Sequence, residues 1–440
     1  MAASVPGPVR VLLVDGDSDL PDISPVRADG GTYEKAMVFA ACGGRLKGGL
    51  EIDLRGQVMP AGELASGLRD ALGEHWSTAD PDAPVVADDR LPFISVVIAT
   101  TMERVDYLEL CVASMVALDY PGFEVIVVDN RPDESAERAA LHARLSRDSR
   151  IHVVTESRVG TSAARNRGAR LARADIVAFT DDDAVVHADW LRGIGARFAA
   201  EPDLDCVSGV VLPAELETPA QIWFERSGSK LEPTYRAVSF HNDGSWRRRR
   251  FGWLRRERFE MTATPDGGQP ETFLLYRAGK CGMGANIAFR QAALRSLGWF
   301  DETLGPGTAA LGAEDTAAIA RLLYQGGRVI MDPGSIVRHH HRLDYAGSRR
   351  QMYGYGVGAT AALAAMIRSD PRHLVGLMHL VLPGLRVLLG KSEGRSVGDY
   401  PKDLARVEMR GVLVGPFAYL RSWFAHARDS RRMDVAAGSL

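Results

Sequence analysis

The chain has 440 residues, of which 46% are hydrophobic and 25% are charged, so its composition is that of a folded protein and excludes a disordered chain. Its length allows about two or three domains. The 53 Lys and Arg residues nearly balance the 56 Asp and Glu residues, and the formal charge of −3 excludes a general attraction to nucleic acid or to membranes.

The first 90 residues predict a small α/β or β-rich appendage. Short apolar stretches at residues 9–14 and 36–41 precede a predicted helix at residues 61–72. Pro and Asp are frequent in residues 78–84, which is typical of a linker. We expect the appendage to dock on the following domain or to mediate self-association.

From residue 93 onward, predicted strands alternate with predicted helices. The strands are expected at residues 93–100, 123–128, 151–155 and 175–180, and the helices at residues 103–118, 135–146 and 162–173. Nearly continuous apolar strands separated by such helices indicate a parallel sheet that is covered on both faces. Ligands of such sheets bind at the carboxyl ends of the strands.

The sequence gives no sign of secretion or of a membrane span. The four cysteines lie far apart and lack zinc-ligand spacing, so we expect reduced core thiols. The N-terminal apolar run is too short for a secretory signal, and no apolar stretch reaches the length of about 18 residues that a span needs. We therefore expect a cytoplasmic protein.

Two later segments are candidates for contact with a membrane or another anionic partner. Residues 246–258 contain seven arginines and three aromatic residues, which suit phosphates or a membrane interface, although a solvated basic loop is equally compatible. Residues 346–440 predict a helical region with an interrupted apolar segment at residues 374–389. Either a helix at the membrane interface or a pair of core helices accounts for that segment.

Three carboxylates follow the predicted strand at residues 175–180. Because side chains alternate along an extended segment, Asp181 and Asp183 can share one face while Asp182 points away. Closely spaced carboxylates suit Mg²⁺ or Mn²⁺, which prefer hard oxygen ligands. The alternative is a cluster that caps a helix beginning near His187. Since one Asp would suffice for a cap, we favour the metal site.

Asp129 is a further carboxylate at the same predicted edge of the sheet, because it ends the strand at residues 123–128. An acid in this position can bind ribose hydroxyls or the edge of a base. The segment after the first strand contains no glycine, which disfavours a GxGxxG dinucleotide site.

Two more groups of polar residues occur near the end of the alternating region. Glu314 and Asp315 open a predicted helix, where they either offset the helix dipole or supply a general base. Three histidines follow an apolar segment at residues 328–337, and by alternation His339 and His341 share a side. A neutral imidazole close to the acidic cluster favours metal ligation.

Taken together, these segments resemble the family-2 inverting glycosyltransferases with the GT-A fold. The matching blocks follow one another in the family's order from residue 95 to residue 315. They are Ser95-Val-Val-Ile-Ala-Thr100, Leu118-Asp-Tyr-Pro-Gly-Phe-Glu-Val-Ile-Val-Val-Asp-Asn130, Gly160-Thr-Ser-Ala-Ala-Arg-Asn-Arg-Gly168, Thr180-Asp-Asp-Asp183, Gly284-Ala-Asn-Ile-Ala-Phe-Arg290, Gly298-Trp-Phe-Asp-Glu302 and Glu314-Asp315.

The resemblance implies a binding site for a nucleotide-diphosphate sugar. Thr100 and Asp129 would hold the nucleoside, with help from Arg165. Asp181 and Asp182 would also contact the nucleotide sugar. The acceptor, which could be a glycan, a lipid-linked sugar or a small molecule, is not implied.

The resemblance also implies a metal site and a catalytic base. Asp181 and Asp183 would bind a divalent cation, Mg²⁺ or Mn²⁺, with His339 as a further ligand. Asp315 would be the base, with Glu314 beside it. A base that deprotonates the acceptor hydroxyl and a cation that stabilises the leaving diphosphate give transfer by single displacement, with inversion.

The expected organisation is therefore an α/β protein with a doubly wound, mostly parallel GT-A sheet. Residues 1–90 would form the appendage, residues 91–345 the catalytic domain and residues 346–440 the helical region. Peripheral membrane contact and a homo-oligomer are left open, and nucleic acid is not an expected partner. The alternatives are a nucleotidyltransferase that acts on sugar phosphates and a non-catalytic sugar-nucleotide-binding module.

Overall fold

The computed structural model describes residues 5–133, 135–227, 233–242, 247–251, 254–378 and 400–437; for residues 247–251, 254–258 and 429–437 it describes the backbone only. Most of the apolar segment predicted at residues 374–389 and both tryptophans of the basic segment therefore lie outside the described residues. Within these ranges the strands form three sheets, one of which is the eleven-stranded sheet at the centre of the molecule.

The N-terminal sheet consists of β1 (Val9–Asp15), β2 (Lys35–Cys42) and β3 (Arg45–Asp53), with β1 parallel and β3 antiparallel to β2. Helix α1 (Ala61–Leu72) has the predicted bounds and buries Leu64 and Leu68 against one face of this sheet. The other face packs on the central sheet, and the Arg45 guanidinium pairs with the buried Asp332 carboxylate at 2.8 Å.

The central sheet has the strand order β14-β13-β10-β16-β9-β15-β7-β4-β5-β6, and β8 pairs with β16 beside this path. Two further strands, β11 and β12, form a separate antiparallel ribbon. The bounds are β4 (Ile94–Thr100), β5 (Phe123–Asp129), β6 (Ile151–Thr155), β7 (Ile176–Asp181), β8 (Ala184–Val186), β9 (Cys206–Pro213), β10 (Val238–His241), β11 (Arg247–Phe251), β12 (Leu254–Arg258), β13 (Glu260–Pro265), β14 (Glu271–Leu274), β15 (Ile287–Arg290) and β16 (Val329–His339).

Helices cover both faces of the central sheet, as the continuous apolar strands indicate. Val96 and Ile98 of β4 pack on one face with the helices at residues 105–116 and 190–200. Val97 packs on the other face with the helices at residues 161–171 and 314–324. The remaining helices follow the strands along the chain. The bounds are α2 (Val105–Val116), α3 (Ala136–Leu145), α4 (Thr161–Leu171), α5 (Trp190–Ala200), α6 (Pro219–Glu225), α7 (Gln291–Ser296), α8 (Glu314–Tyr324), α9 (Tyr345–Ser369), α10 (Arg372–Met378) and α11 (Lys402–Ala437).

The expected α/β fold with a central sheet and a helical C-terminal region is confirmed. The neighbouring strands β7, β4, β5 and β6 are all parallel, as the alternation of strands and helices predicts. The second half of the sheet is mixed, because β15 lies antiparallel between β7 and β9. Its strands are short or separated by irregular segments, so no regular alternation in the sequence announces them.

Helices α9 and α11 pack closely against each other through glycines. A methyl group added at Gly356 would lie 2.0 Å from the carbonyl oxygen of Glu408, and one at Gly411 would lie 2.3 Å from that of Tyr353. Only glycine permits such an approach of two backbones. Among the described residues, no helix is both long and apolar enough to cross a membrane.

Candidate functional site

The acidic residues meet at the carboxyl ends of the parallel strands. The register pairs Thr100 with Asp129 across β4 and β5, and Ala99 with Asp181 across β4 and β7. The chain turns after Asp181 and enters β8 at Ala184, so three consecutive carboxylates lie at one edge of the sheet. The next helix, α5, begins only at Trp190, which rules out the alternative that these residues cap a helix near His187.

His339 reaches this cluster because of the pairing between β8 and β16, which sets His339 opposite Ala184. Its Nε2 lies 3.0 Å from Oδ1 of Asp183 and 3.9 Å from Oδ2 of Asp181. One ligand atom from each of the three side chains lies within 4.8 Å of the other two. Two carboxylates and one imidazole form a donor set that suits Mn²⁺ or Mg²⁺.

The other two histidines have separate partners. His340 pairs with Glu215, and His341 lies 2.7 Å from Glu225. The rings of His339 and His341 are nevertheless 5.5 Å apart, in keeping with the alternation along the strand. Of the three imidazoles, that of His339 is the one grouped with the acidic cluster.

Each charged group in the cluster shifts the pKa of its neighbours. Burial alone would raise the pKa of Asp183, but the positive charges of His339 and Arg104 outweigh it and hold that pKa well below its usual value. Burial opposes the shift at His339 too, yet Asp183 raises the pKa of His339 to about 9. For Asp182, burial and then the charge of Asp183 raise the pKa to about 6. The negative charge of Asp183 thus stabilises the positive charges of His339 and Arg104 beside it.

Arg165 connects the acidic cluster with the start of α8. Its guanidinium is buried and lies 2.8 Å from Oδ1 of Asp181 and 2.7 Å from Oε1 of Glu314. Burial raises the pKa of Glu314 to about 7, although Arg165 opposes this shift. Because Glu314 is itself only 5% exposed, its carboxylate acts on Arg165 rather than on solvent.

Asp315 is held differently from its neighbour. Ala313 has a left-handed backbone with φ of 65° and directs the chain into α8. The Asp315 carboxylate then accepts hydrogen bonds from the backbone N–H of Gly284 at 2.7 Å and from that of Thr316 at 2.6 Å. These two bonds fix the Asp315 carboxylate at the wall of a cavity. Among the described side chains no arginine forms an ion pair with it, whereas Glu314 is paired with Arg165.

The residues predicted to bind the nucleoside separate into two groups. Thr100 lines the cavity and donates a hydrogen bond of 2.6 Å to Asp182. Asp129 is fully buried, and its carboxylate contacts His142 at 3.0 Å and accepts from the backbone N–H of Arg131 at 3.1 Å. Its neighbour Asn130, which the sequence reasoning did not single out, lines the cavity instead. A nucleoside role for Asp129 stays a prediction.

Thr100, Asn130 and Arg165 line a cavity of about 1070 Å³. Its walls include the acidic cluster, His339 and the first turn of α8, so the candidate metal ligands and Asp315 face a common space. Helix α9 forms a further wall, where Arg350, Gln351 and Tyr355 line the cavity. The sequence does not predict that α9 lines the site, since an Ala- and Gly-rich helix carries no motif. The small side chains that let the helix approach are the signal that could have found it.

Comparison with known proteins matches a family to the part of the chain that contains Thr100, Arg165 and the acidic cluster. Residues 95–297 match the family described as Glycosyl transferase family 2. The glucosyl-dolichyl phosphate glucuronosyltransferase of Haloferax volcanii is 33% identical over 121 residues, which are 27% of this chain and 38% of that protein. The pre-mycofactocin glycosyltransferase of Mycobacterium tuberculosis is 27% identical over 279 residues, which are 61% of this chain and 49% of that protein. The chain thus spans less than half the length of these relatives.

Two solved structures are similar at low sequence identity. The mannosyltransferase PcManGT from Pyrobaculum calidifontis, in complex with GDP-Man and Mn²⁺, has a TM-score of 0.44 and 18% identity over 83% of this chain and 94% of that one. GalNAc-T7 with UDP, GalNAc and Mn²⁺ has a TM-score of 0.41 and 16% identity over 74% of this chain and 58% of that one.

Proposed function

We propose that this chain, whose residues 95–297 match glycosyl transferase family 2, is a glycosyltransferase that moves a sugar from a nucleotide-diphosphate sugar to an acceptor hydroxyl with inversion. The observation that carries the proposal is the convergence of a metal-type donor set and Asp315 on one cavity. The relatives named above bear the names of glycosyltransferases, which supports the same class of reaction.

Asp181, Asp183 and His339 are the residues that would hold a divalent cation, either Mn²⁺ or Mg²⁺. One ligand atom of each lies within 4.8 Å of the others, and the low pKa of Asp183 keeps its carboxylate ionised, which is the form that binds a cation. The cation would take the place of the proton that His339 shares with Asp183. When bound, the cation offsets the negative charge that builds up on the diphosphate as it leaves.

Asp315 would accept the proton of the acceptor hydroxyl. The hydroxyl oxygen then attacks the anomeric carbon on the face opposite the diphosphate, and the bond between that carbon and the diphosphate breaks. One displacement of this kind inverts the anomeric centre. Arg165 and Glu314 are positioning residues in this scheme, because their buried ion pair ties the start of α8 to the acidic cluster.

The nucleoside would bind beside β4 and β5. Thr100 lines the cavity and holds Asp182 in place through its hydroxyl. Asn130 lines the cavity too, but its amide is bonded to the backbone of residues 156, 158 and 160 and fixes the shape of this wall. Asp129 would support the nucleoside site indirectly, since its buried contacts with His142 and with the backbone of Arg131 fix the end of β5.

The test is incubation of the full chain with a panel of sugar nucleotides and Mn²⁺, followed by detection of the released nucleotide. We expect a nucleoside diphosphate from one or a few of the donors. Release of pyrophosphate would instead favour a nucleotidyltransferase acting on sugar phosphates. Binding of a sugar nucleotide without any release would favour a non-catalytic binding module.

A peripheral membrane contact is supported by one surface of α11. Leu413, Phe417, Leu420 and Phe424 recur at helical spacing, and all four are exposed, Phe417 to 73%. Arg406, Arg410, Arg421 and Arg428 are exposed on the same helix. An apolar stripe with flanking arginines complements an anionic lipid surface, which attracts each cation with about 1 kcal/mol. We infer that this surface would hold the site near a membrane-borne acceptor.

Replacement of Phe417 by Ser should weaken binding to vesicles of phosphatidylcholine and phosphatidylglycerol by about 10- to 150-fold, because burying a Phe side chain contributes about 1.5 to 3 kcal/mol. Vesicle flotation at low and high salt measures this effect. Val85→Ser is the matched control, since Val85 is 96% exposed but lies far along the chain from α11. Equal flotation of all three proteins, or a dimer that Phe417→Ser dissociates, would contradict the membrane contact.

A further inference from the structure

A second cavity, of about 370 Å³, lies between the segment at residues 298–302 and helices α4, α8, α9 and α11. Ala317 and Met366 line both this cavity and the larger one, so the two are neighbours across α8 and α9. The volume falls within the range of small-molecule sites, which begins at about 300 Å³. None of the roles assigned above uses this space.

The lining of the second cavity is unusually rich in cations. Its charged residues are Arg158, Arg170, Arg321, Arg368, Asp301 and Glu302, and His426 lies beside them. With His426 neutral, four positive charges face two negative ones. The lining therefore carries an excess of two positive charges, which Glu156, just outside the lining, reduces to one by pairing with Arg158.

The two carboxylates are already engaged. Glu302 lies 2.6 Å from Arg158 and accepts a hydrogen bond of 3.1 Å from Asn166. Asp301 accepts from the backbone N–H and the hydroxyl of Thr303. Glu302 also lies 3.9 Å from Arg170, so this carboxylate is shared between two arginines and fully neutralises neither of them.

Arg321 and Arg368 form no ion pair with a carboxylate in the part of the chain that the structure describes. Arg321 donates to the backbone carbonyls of Leu297 and Trp299, and Arg368 donates to the Tyr419 hydroxyl at 2.5 Å. Burial lowers the pKa of Arg321, and the charge of Arg368 acts in the same direction while Asp301 opposes it. Binding of an anion beside the Arg321 guanidinium would therefore stabilise its positive charge.

Aromatic rings hold two of the guanidinium groups at the wall. The Arg170 guanidinium lies 5.2 Å from the ring centroid of Trp299, and that of Arg368 lies 5.7 Å from the ring centroid of Trp423. Stacking of this kind restricts an arginine but leaves its N–H groups available to a ligand.

We propose that the second cavity binds the phosphate group of a small molecule, with Arg170, Arg321 and Arg368 as its donors. A phosphate monoester carries one to two negative charges, which offset the positive excess of the cavity, and its oxygens suit the forked N–H groups of arginine. Arg321 lies on α8, less than two turns from Asp315, so the ligand would also join α8 to α9 and α11. This site does not depend on the proposed glycosyl transfer.

The experiment is a titration of the full chain with inorganic phosphate at constant ionic strength, followed by calorimetry and by thermal unfolding. Phosphate should raise the midpoint of unfolding, because a ligand that binds only the folded state stabilises it. Arg170→Gln and Arg368→Gln should each weaken phosphate binding about tenfold, which is the effect of losing one charge-assisted hydrogen bond. Both residues are exposed, but Arg368→Gln also removes the hydrogen bond to the buried Tyr419, so Arg170→Gln is the variant that tests the site without a core contact.

Two control variants separate this site from other cationic surfaces. Arg144→Gln removes an exposed arginine that pairs with Glu109, and Arg342→Gln removes one that lines the larger cavity. Both should bind phosphate like the unchanged protein. If chloride stabilises the chain as much as phosphate does, or if Arg342→Gln alone weakens binding, the proposal is wrong.

The phosphate could belong to a soluble molecule or to a lipid headgroup. Flotation with phosphatidic acid vesicles distinguishes these sources. If Arg170→Gln weakens both phosphate binding and flotation, the ligand is a headgroup. If it weakens phosphate binding alone, the ligand is soluble.

Discussion

Replacement of Asp315 by Asn is expected to lower the rate of sugar transfer by about 10²- to 10⁴-fold, which is the usual contribution of a positioned general base. The amide has the shape of the carboxylate but cannot take the proton of the acceptor hydroxyl. The backbone N–H of Thr316 can still donate to its oxygen, so the start of α8 should keep its conformation. Affinity for the donor nucleotide should change little, because Asp315 makes its contacts with the protein backbone.

Single-turnover rates and nucleotide titrations of the same preparation separate these two effects. Asp344→Asn is the matched control, since Asp344 also lines the cavity and caps α9, a role that Asn fills nearly as well. Its rate should stay close to that of the unchanged protein. Undiminished turnover of Asp315→Asn would remove Asp315 from the mechanism, and an equal loss of nucleotide affinity would assign it to binding.

Removal of the divalent cation should lower the rate by about 10³-fold, because metal stabilisation of a leaving diphosphate contributes several kcal/mol. Asp183→Asn should have a similar effect. Its carboxylate is the member of the cluster that lies nearest to His339, and it is only 6% exposed. An amide there offers no net charge to the cation.

Turnover in the presence of EDTA, followed by titration with Mn²⁺ or Mg²⁺, measures the first effect. Electron paramagnetic resonance of Mn²⁺ measures the affinity of each variant directly. Asp182→Asn is the control, since the Asp182 carboxylate is bonded to Thr100 and should leave Mn²⁺ affinity intact. Equal loss of Mn²⁺ by both variants, or full activity in EDTA, would contradict the proposed ligands.

The parallel half of the sheet could be predicted because its signals are local. Each of β4, β5, β6 and β7 is a short apolar run, and each is followed by a helix or a polar turn in the chain. The carboxyl ends of such strands meet at one edge, so the neighbourhood of Asp129 and Asp181 follows from the chain order alone.

The other half depends on contacts between distant parts of the chain. The position of β15 between β7 and β9 is set by pairing with strands that lie roughly a hundred residues earlier. The meeting of His339 with Asp183 depends in the same way on the register between β8 and β16. The partners of Arg165 come from β7 and α8, which no spacing in the sequence brings together.

The glycine contacts between α9 and α11 affect how the chain can be divided. Helix α9 has its back against α11, while its front is a wall of the larger cavity. A fragment that ends near residue 345, where the sequence places the boundary of the catalytic domain, would keep the acidic cluster and Asp315 but leave the cavity open on one side. The smallest unit able to close this cavity therefore includes both long C-terminal helices.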